Sequence, residues 1–173
     1  LNDVTISGNF TNTGTVKANN NFANSSTLQG SGSLDVKDGS NTGNISQSDI
    51  TISGSFLNNG IMQATNELVL GNGLENNKTV IAKILSNEGD ITGANGSLTI
   101  EGGSNTGNIT QKDFTLSNGD FVNAPATSGQ GGNITITGNF KNTGNITGNA
   151  SGEKGTLTVA NGSNSGSIDQ KDF

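Results

Sequence analysis

The chain has 173 residues, 27 of them glycine, with one proline and no cysteine, histidine, tryptophan or tyrosine. Hydrophobic residues make up 28%, against the roughly 45–50% (glycine included) usual for globular chains, and the net charge of −6 is carried without any arginine. These counts exclude a zinc site of the usual kind, an iron–sulfur cluster, a thiol nucleophile and a Ser-His-Asp triad, and they argue against nucleic acid, whose binding needs clustered basic residues. The apolar runs are too short to span a membrane, and the first residues do not read as a signal peptide.

With 28 asparagines and 40 serines and threonines, composition alone would suggest disorder. Placement argues otherwise, because the apolar residues fall in alternating triplets. In chain order these are Val4-Thr-Ile6, Leu34-Asp-Val36, Ile50-Thr-Ile52, Leu68-Val-Leu70, Leu98-Thr-Ile100, Phe114-Thr-Leu116, Ile134-Thr-Ile136 and Leu157-Thr-Val159. Alternation of β-branched and other apolar residues predicts short strands, bounded by turns of Gly, Asn and Ser. No 3.6-residue period is sustained, and glycine is too frequent for helices.

Internal repeats organise the chain. Gly39-Ser-Asn-Thr-Gly-Asn-Ile45 recurs as residues 103–109 and, with two changes, as 162–168, each followed by a Gln-x-Asp element at Gln47, Gln111 and Gln170. Asp3-Val-Thr-Ile-Ser-Gly-Asn-Phe10 recurs at 49–56 and 133–140. Underneath lies a shorter unit centred on Asn12, Asn24, Asn41, Asn58, Asn76, Asn87, Asn105, Asn123, Asn142 and Asn164, with steps of 12, 17, 17, 18, 11, 18, 18, 19 and 22. A period near 18 predicts an all-β parallel β-helix (β-solenoid) of about nine coils in a single segment over 1–173, with irregular insertions at 124–132 and 149–155. Stacked coils explain how few apolar residues suffice, since each coil needs only a few inward side chains. The inward set is read as Val4, Ile6, Phe10 and Val16, matched by Ile50, Ile52, Phe56 and Met62, by Leu68, Leu70, Leu74 and Val80, and by Ile134, Ile136, Phe140 and Ile146. The ten asparagines are read as one structural ladder, each side-chain amide bonding to the next. The glycine that usually follows two residues later would relieve a crowded or positive-φ position, a pattern broken at Ser26 and Lys78.

The unit Phe10-Thr-Asn-Thr-Gly-Thr-Val-Lys-Ala18, repeated as Phe56-Leu-Asn-Asn-Gly-Ile-Met-Gln-Ala64, resembles filamentous-haemagglutinin-type repeats of large Gram-negative exoproteins exported by two-partner secretion. The Thr- and Asn-rich flavour is similar to their high-molecular-weight adhesin branch. The resemblance implies a right-handed coil and an internal slice of a longer virulence protein, secreted or displayed at the bacterial surface. It further implies an outer-membrane transporter partner during secretion, and attachment to a host-cell or matrix receptor. It also implies glycosylation at outward sequons, of which Asn44, Asn108 and Asn145 are the candidates. The ten Asn-x-Ser/Thr sites in the chain only modestly exceed the about six or seven expected from composition.

Catalysis is not expected. Asp3, Asp49, Asp113 and Asp172 share one repeat position and read as a solvated corner rather than as a carboxylate pair in a groove. Asp35 with Asp38, and Glu88 with Asp90, lack any calcium-loop spacing, so no metal and no cofactor is expected. A carbohydrate-active β-helix enzyme is the alternative reading. A less favoured one is an ice-binding solenoid, from the outward Thr5, Thr51, Thr99, Thr115, Thr135 and Thr158, a column interrupted by Asp35 and Val69. Apart from Phe173, the phenylalanines are placed inward, and the 124–132 insertion is the one irregular surface feature nominated for receptor contact. An uncapped segment exposes strand edges at both ends and is expected to associate end to end.

Overall fold

The computed structural model describes residues 1–125 and 131–172. Among these residues the chain forms nineteen short strands and no helix, every pairing parallel, in a solenoid of nine coils. Of the nominated insertion 124–132, residues 126–130 lie outside the described residues.

Each coil has three faces, each opened by an inward residue about six positions after the last. Register defines three columns. The first face stacks Val4, Phe22, Gly39, Phe56, Leu74, Ile91, Ile109, Ile134 and Leu157. The second stacks Phe10, Leu28, Ile45, Met62, Val80, Leu98, Phe114, Phe140 and Gly162. The third stacks Val16, Leu34, Ile50, Leu68, Leu85, Gly103, Phe121, Ile146 and Ile168. Two residues after each comes a second inward position, so every face reads in-out-in, the period-2 alternation of a strand. Where two faces share one long strand, as in Thr15–Asn24 and Ile61–Leu70, the corner is a shift in register.

These columns are the core. Ile50, Ile52, Phe56, Met62, Leu68, Leu70, Leu74, Val80, Ile134, Ile136, Phe140 and Ile146 are all buried. Phe10 differs, being 48% exposed. It points inward, but it lies in the first coil and has a neighbour, Leu28, on one side only. Size is balanced along the columns. Where a coil offers glycine, its neighbours are large: Gly39 lies between Phe22 and Phe56, whose rings stack 6.3 Å apart, and Gly103 lies between Leu85 and Phe121. In the later coils Phe114 contacts both Phe121 and Phe140, at 6.1 and 5.9 Å between ring centres. Dense packing of this kind is what a narrow core needs, since one missing methylene is felt.

The matched octapeptides do not stack on one another. Val4 pairs with Phe22 on the first face, whereas Ile50 pairs with Leu34 and Leu68 on the third. The reason is arithmetic. Gln47 and Gln111 are 64 residues apart, which is three coils plus two faces, so equivalent residues of the long repeat land on different faces.

Candidate functional site

The most ordered polar feature is internal. Asn24 donates from Nδ2 to Asn41 Oδ1 at 2.7 Å, Asn41 to Asn58 at 2.8 Å, and Asn58 to Asn76 at 2.9 Å. This run occupies the second inward position of the first face. A separate run on the third face links Asn87 to Asn105 at 2.6 Å and Asn105 to Asn123 at 2.8 Å. A third, on the second face, links Asn142 to Asn164 at 2.8 Å. The ten asparagines therefore form three staggered runs and one outlier, Asn12, rather than a single column. Inside a run the amide also donates to the carbonyl two residues on, as Asn41 does to Gly43, and to a carbonyl in the next coil, as Asn41 does to Ile61. Two N–H bonds are shared among three acceptors, so the turn and its neighbour coil are tied to one side chain. The Asn87 Oδ1, at the head of its run above Leu70, is the buried side-chain polar atom without a partner among the described residues.

Two of the runs, and the lone Asn12, are closed by glutamine. Asn76 donates to Gln111 Oε1 at 2.7 Å, Asn123 to Gln170 Oε1 at 2.6 Å, and Asn12 to Gln47 Oε1 at 2.6 Å. These partners sit two coils apart, 35 residues in the cases of Asn76 and Asn12. The longer Gln side chain reaches across a coil that presents no side chain, because Gly30 and Gly93 stand there with φ near +130°. A second glycine completes each cap. A Cβ on Gly32, Gly96 or Gly155 would fall against the Nδ2 of Asn12, Asn76 or Asn123. Gln-x-Asp and Gly-Ser/Thr-Leu are thus two halves of one capping device, used once on each face. The three glutamines were legible in the sequence as part of a repeat; their role was not, because the partner lies two coils away.

The outward residues scatter in the same way. Asp49 pairs with Ser33 and Glu67 on the third face, Asp113 with Ser97 on the second, and Asp172 bridges Thr156 on the first, with Asp3 at the far end of that face. They form no single acidic corner. Asp3, Asp49 and Asp113 each bond along the rod, to the Asn21 and Asn139 backbone N–H groups and the Asn66 side-chain amide among others. Among the described residues no three His, Cys, Asp or Glu side chains converge. The triplet threonines also divide, with Thr5, Thr135 and Thr158 on the first face, Thr99 and Thr115 on the second and Thr51 on the third.

Asn44 and Asn145 are exposed, and Asn108 is half-buried. Asn108 donates to Asp90 and accepts from Asn133, while Asn145 donates to Asp120 and accepts from Ser167. These outward amides belong to short surface ladders.

One corner is irregular. Both nominated insertions fall between a third-face strand and the next first-face strand, after Asp120–Asn123 and after Asn145–Thr147, in consecutive coils. The 149–155 loop is a compact turn in which Asn149 Oδ1 accepts the N–H groups of Ser151 and Glu153. Beside it, Pro125, Gly131, Asn133, Glu153, Lys154 and Lys171 line an open groove of about 300 Å³. Lys154 is paired with Asp169. The groove offers mixed charge and backbone polar groups and no aromatic ring. The part of the nominated receptor-contact segment at 126–130 lies outside the described residues.

Comparison of the chain with family models, with curated proteins and with solved structures finds no match.

Proposed function

We propose that this chain is a structural and adhesive segment of a bacterial surface protein: a stiff rod that projects or takes part in attachment. The observation that carries the reading is the continuity of the rod. Three hydrophobic columns run through all nine coils, reinforced by buried amide ladders whose bonds lie along the axis. Such a stack resists bending without any disulfide, and the chain has no cysteine to form one. An export route through an outer-membrane transporter, display at the cell surface, sugars on outward asparagines and a host receptor all belong to this proposal. They rest on the Phe-x-Asn-x-Gly resemblance at 10–18 and 56–64.

If the segment itself adheres, the irregular corner is where it does so. Elsewhere the faces repeat every coil, whereas here Lys154 and Lys171 are exposed beside the half-buried Glu153. The test is saturable binding of the purified segment to epithelial cells and extracellular matrix, beside a variant with residues 149–155 reduced to a two-residue turn. Binding that falls in the variant supports an adhesive corner. Binding absent in a sample with β-type circular dichroism reduces the role to that of a spacer.

A further inference from the structure

An asparagine followed by glycine carries a chemistry of its own. The glycine nitrogen can attack the carbonyl carbon of the asparagine side chain, because no Cβ hinders the approach, and asparagine is thermolabile for this reason. The chain has five such pairs, at Asn59, Asn72, Asn95, Asn118 and Asn161. None of the ten ladder asparagines is among them.

Four of the five pairs are held. Asn59 accepts a hydrogen bond from Asn77, and the Gly60 N–H faces Asn58 Oδ1 at 3.4 Å. The Gly96 N–H donates to the Gly93 carbonyl at 3.3 Å. Asn118, with φ of 63°, is tied to Thr143 through its backbone N–H and its Oδ1. Asn161 and Gly162 lie within the paired strand Thr156–Asn164. A Cβ on Gly60, Gly96, Gly119 or Gly162 would come within 2.5 Å of a backbone carbonyl oxygen, so none of these peptides has room to turn.

Asn72 differs on every count. It is exposed, at the corner between the third and first faces. Neither its side chain nor the Gly73 N–H has a hydrogen-bond partner among the described residues. A Cβ on Gly73 would meet nothing within 4 Å. With Ser55, Leu57, Glu75 and Asp90, Gly73 lines an open groove of about 350 Å³, which leaves space for an imide ring and for water.

We propose that Asn72 is a self-modifying site, deamidating in the folded protein ahead of the other asparagines. The Gly73 nitrogen loses its proton to solvent base and bonds to Asn72 Cγ. The Cγ–Nδ2 bond breaks, and Nδ2 takes up a proton and leaves as ammonia. Water then opens the imide at either carbonyl, giving aspartate or isoaspartate at position 72. One water is consumed, one ammonia is released, and nothing is oxidised or reduced. The charged groups around the corner are Glu75 on the same coil and Glu88 and Asp90 on the next, while Ser53, Gly54 and Ser55 on the coil before carry none. All three carboxylates oppose a negative nitrogen, so the selectivity comes from space and access rather than from charge. The product adds a carboxylate to this acidic edge and spares every amide of the buried ladders. The inference is independent of the adhesive reading, since the chain supplies both reacting groups.

The test is peptide mass mapping of the whole chain held in mildly alkaline buffer, folded and in urea. In the folded protein Asn72 is expected to convert at least about tenfold faster than any of the other four pairs, to a mixture of aspartyl and isoaspartyl peptides. In urea the five are expected to convert at comparable rates. Gly73→Ala, at a position with room for the methyl group, is expected to slow conversion of Asn72 at least about tenfold with the melting temperature unchanged. Conversion of Asn72 no faster than at the held pairs, a preference for Asn72 that persists in urea, or a rate indifferent to Gly73→Ala would each overturn the proposal.

Discussion

Asn41 shows what one buried amide does. It receives a hydrogen bond from Asn24, gives one to Asn58 and ties down its own turn through Gly43, while being fully buried. Asn41→Ala would leave the Asn24 amide and the Asn58 carbonyl oxygen each short of a partner. At about 1–3 kcal/mol for each stranded group, a loss of roughly 2–4 kcal/mol is expected in urea unfolding followed by circular dichroism. Asn164→Ala, at the exposed end of its run, is expected to cost less than about 1 kcal/mol. Glycines divide just as sharply. A Cβ at Gly32 would run into the Gly14 carbonyl and the Asn12 amide, whereas one at Gly73 meets nothing within 4 Å. Gly32→Ala is therefore expected to lower the melting temperature markedly and Gly73→Ala to leave it within a few degrees. Equal effects would show that the caps are not the tight points they are described as. Surface charge matters less: the exposed Lys17–Asp35 pair should contribute under about 1 kcal/mol.

The element of this fold is the coil, not the strand. Eighteen residues return the chain to the same face one layer on, as Val4 to Phe22 and Phe10 to Leu28. Removing Asn59–Asn76 should therefore leave a folded solenoid of one fewer coil, with Asn58 taking the place of Asn76 opposite Gln111. A nine-residue deletion, 59–67, would throw the following inward pairs off their faces. The expected contrast is a cooperative melt for the first and lost β-type dichroism for the second. The strands, the period and the inward positions were legible in the sequence because they are local: alternation such as Leu68-Val-Leu70 and a glycine-rich turn are written in neighbouring residues. The partners were not. An asparagine looks the same whichever face it occupies, and the long repeat of Gln47 and Gln111 spans a non-integral number of coils. Likeness in sequence therefore does not mean contact in space. Nothing local distinguishes Asn12, which bonds to Gln47, from Asn24, which bonds to Asn41.

At the scale of the molecule, nine layers at about 4.8 Å make a rod roughly 40 Å long. Its polar runs are staggered from face to face, so most layers between the second and the ninth carry at least one buried Asn or Gln. Such residues specify register, because a slip of one layer or one face would strand an amide. The glutamine caps let a run end on one face while another has begun on the next. Nearest-neighbour coupling of this kind predicts that damage in one coil spreads only to adjacent layers. Hydrogen exchange after Asn41→Ala should therefore rise around Asn24 and Asn58 and stay unchanged around Asn142.

Every ladder and column depends on the stacking register, and the absence of native cysteine makes that register directly measurable. Asp35 and Thr51 are in-register neighbours on the third face, with the roughly 4.8 Å strand spacing that falls within the Cα range of a disulfide. Thr5 and Thr51, although equivalent in the sequence repeat, lie on different faces. Mild oxidation of Asp35→Cys/Thr51→Cys is predicted to give an intramolecular disulfide in nearly all molecules, and of Thr5→Cys/Thr51→Cys to give none. Ready cross-linking of the second pair, with none in the first, would contradict the three-face register and every ladder built on it.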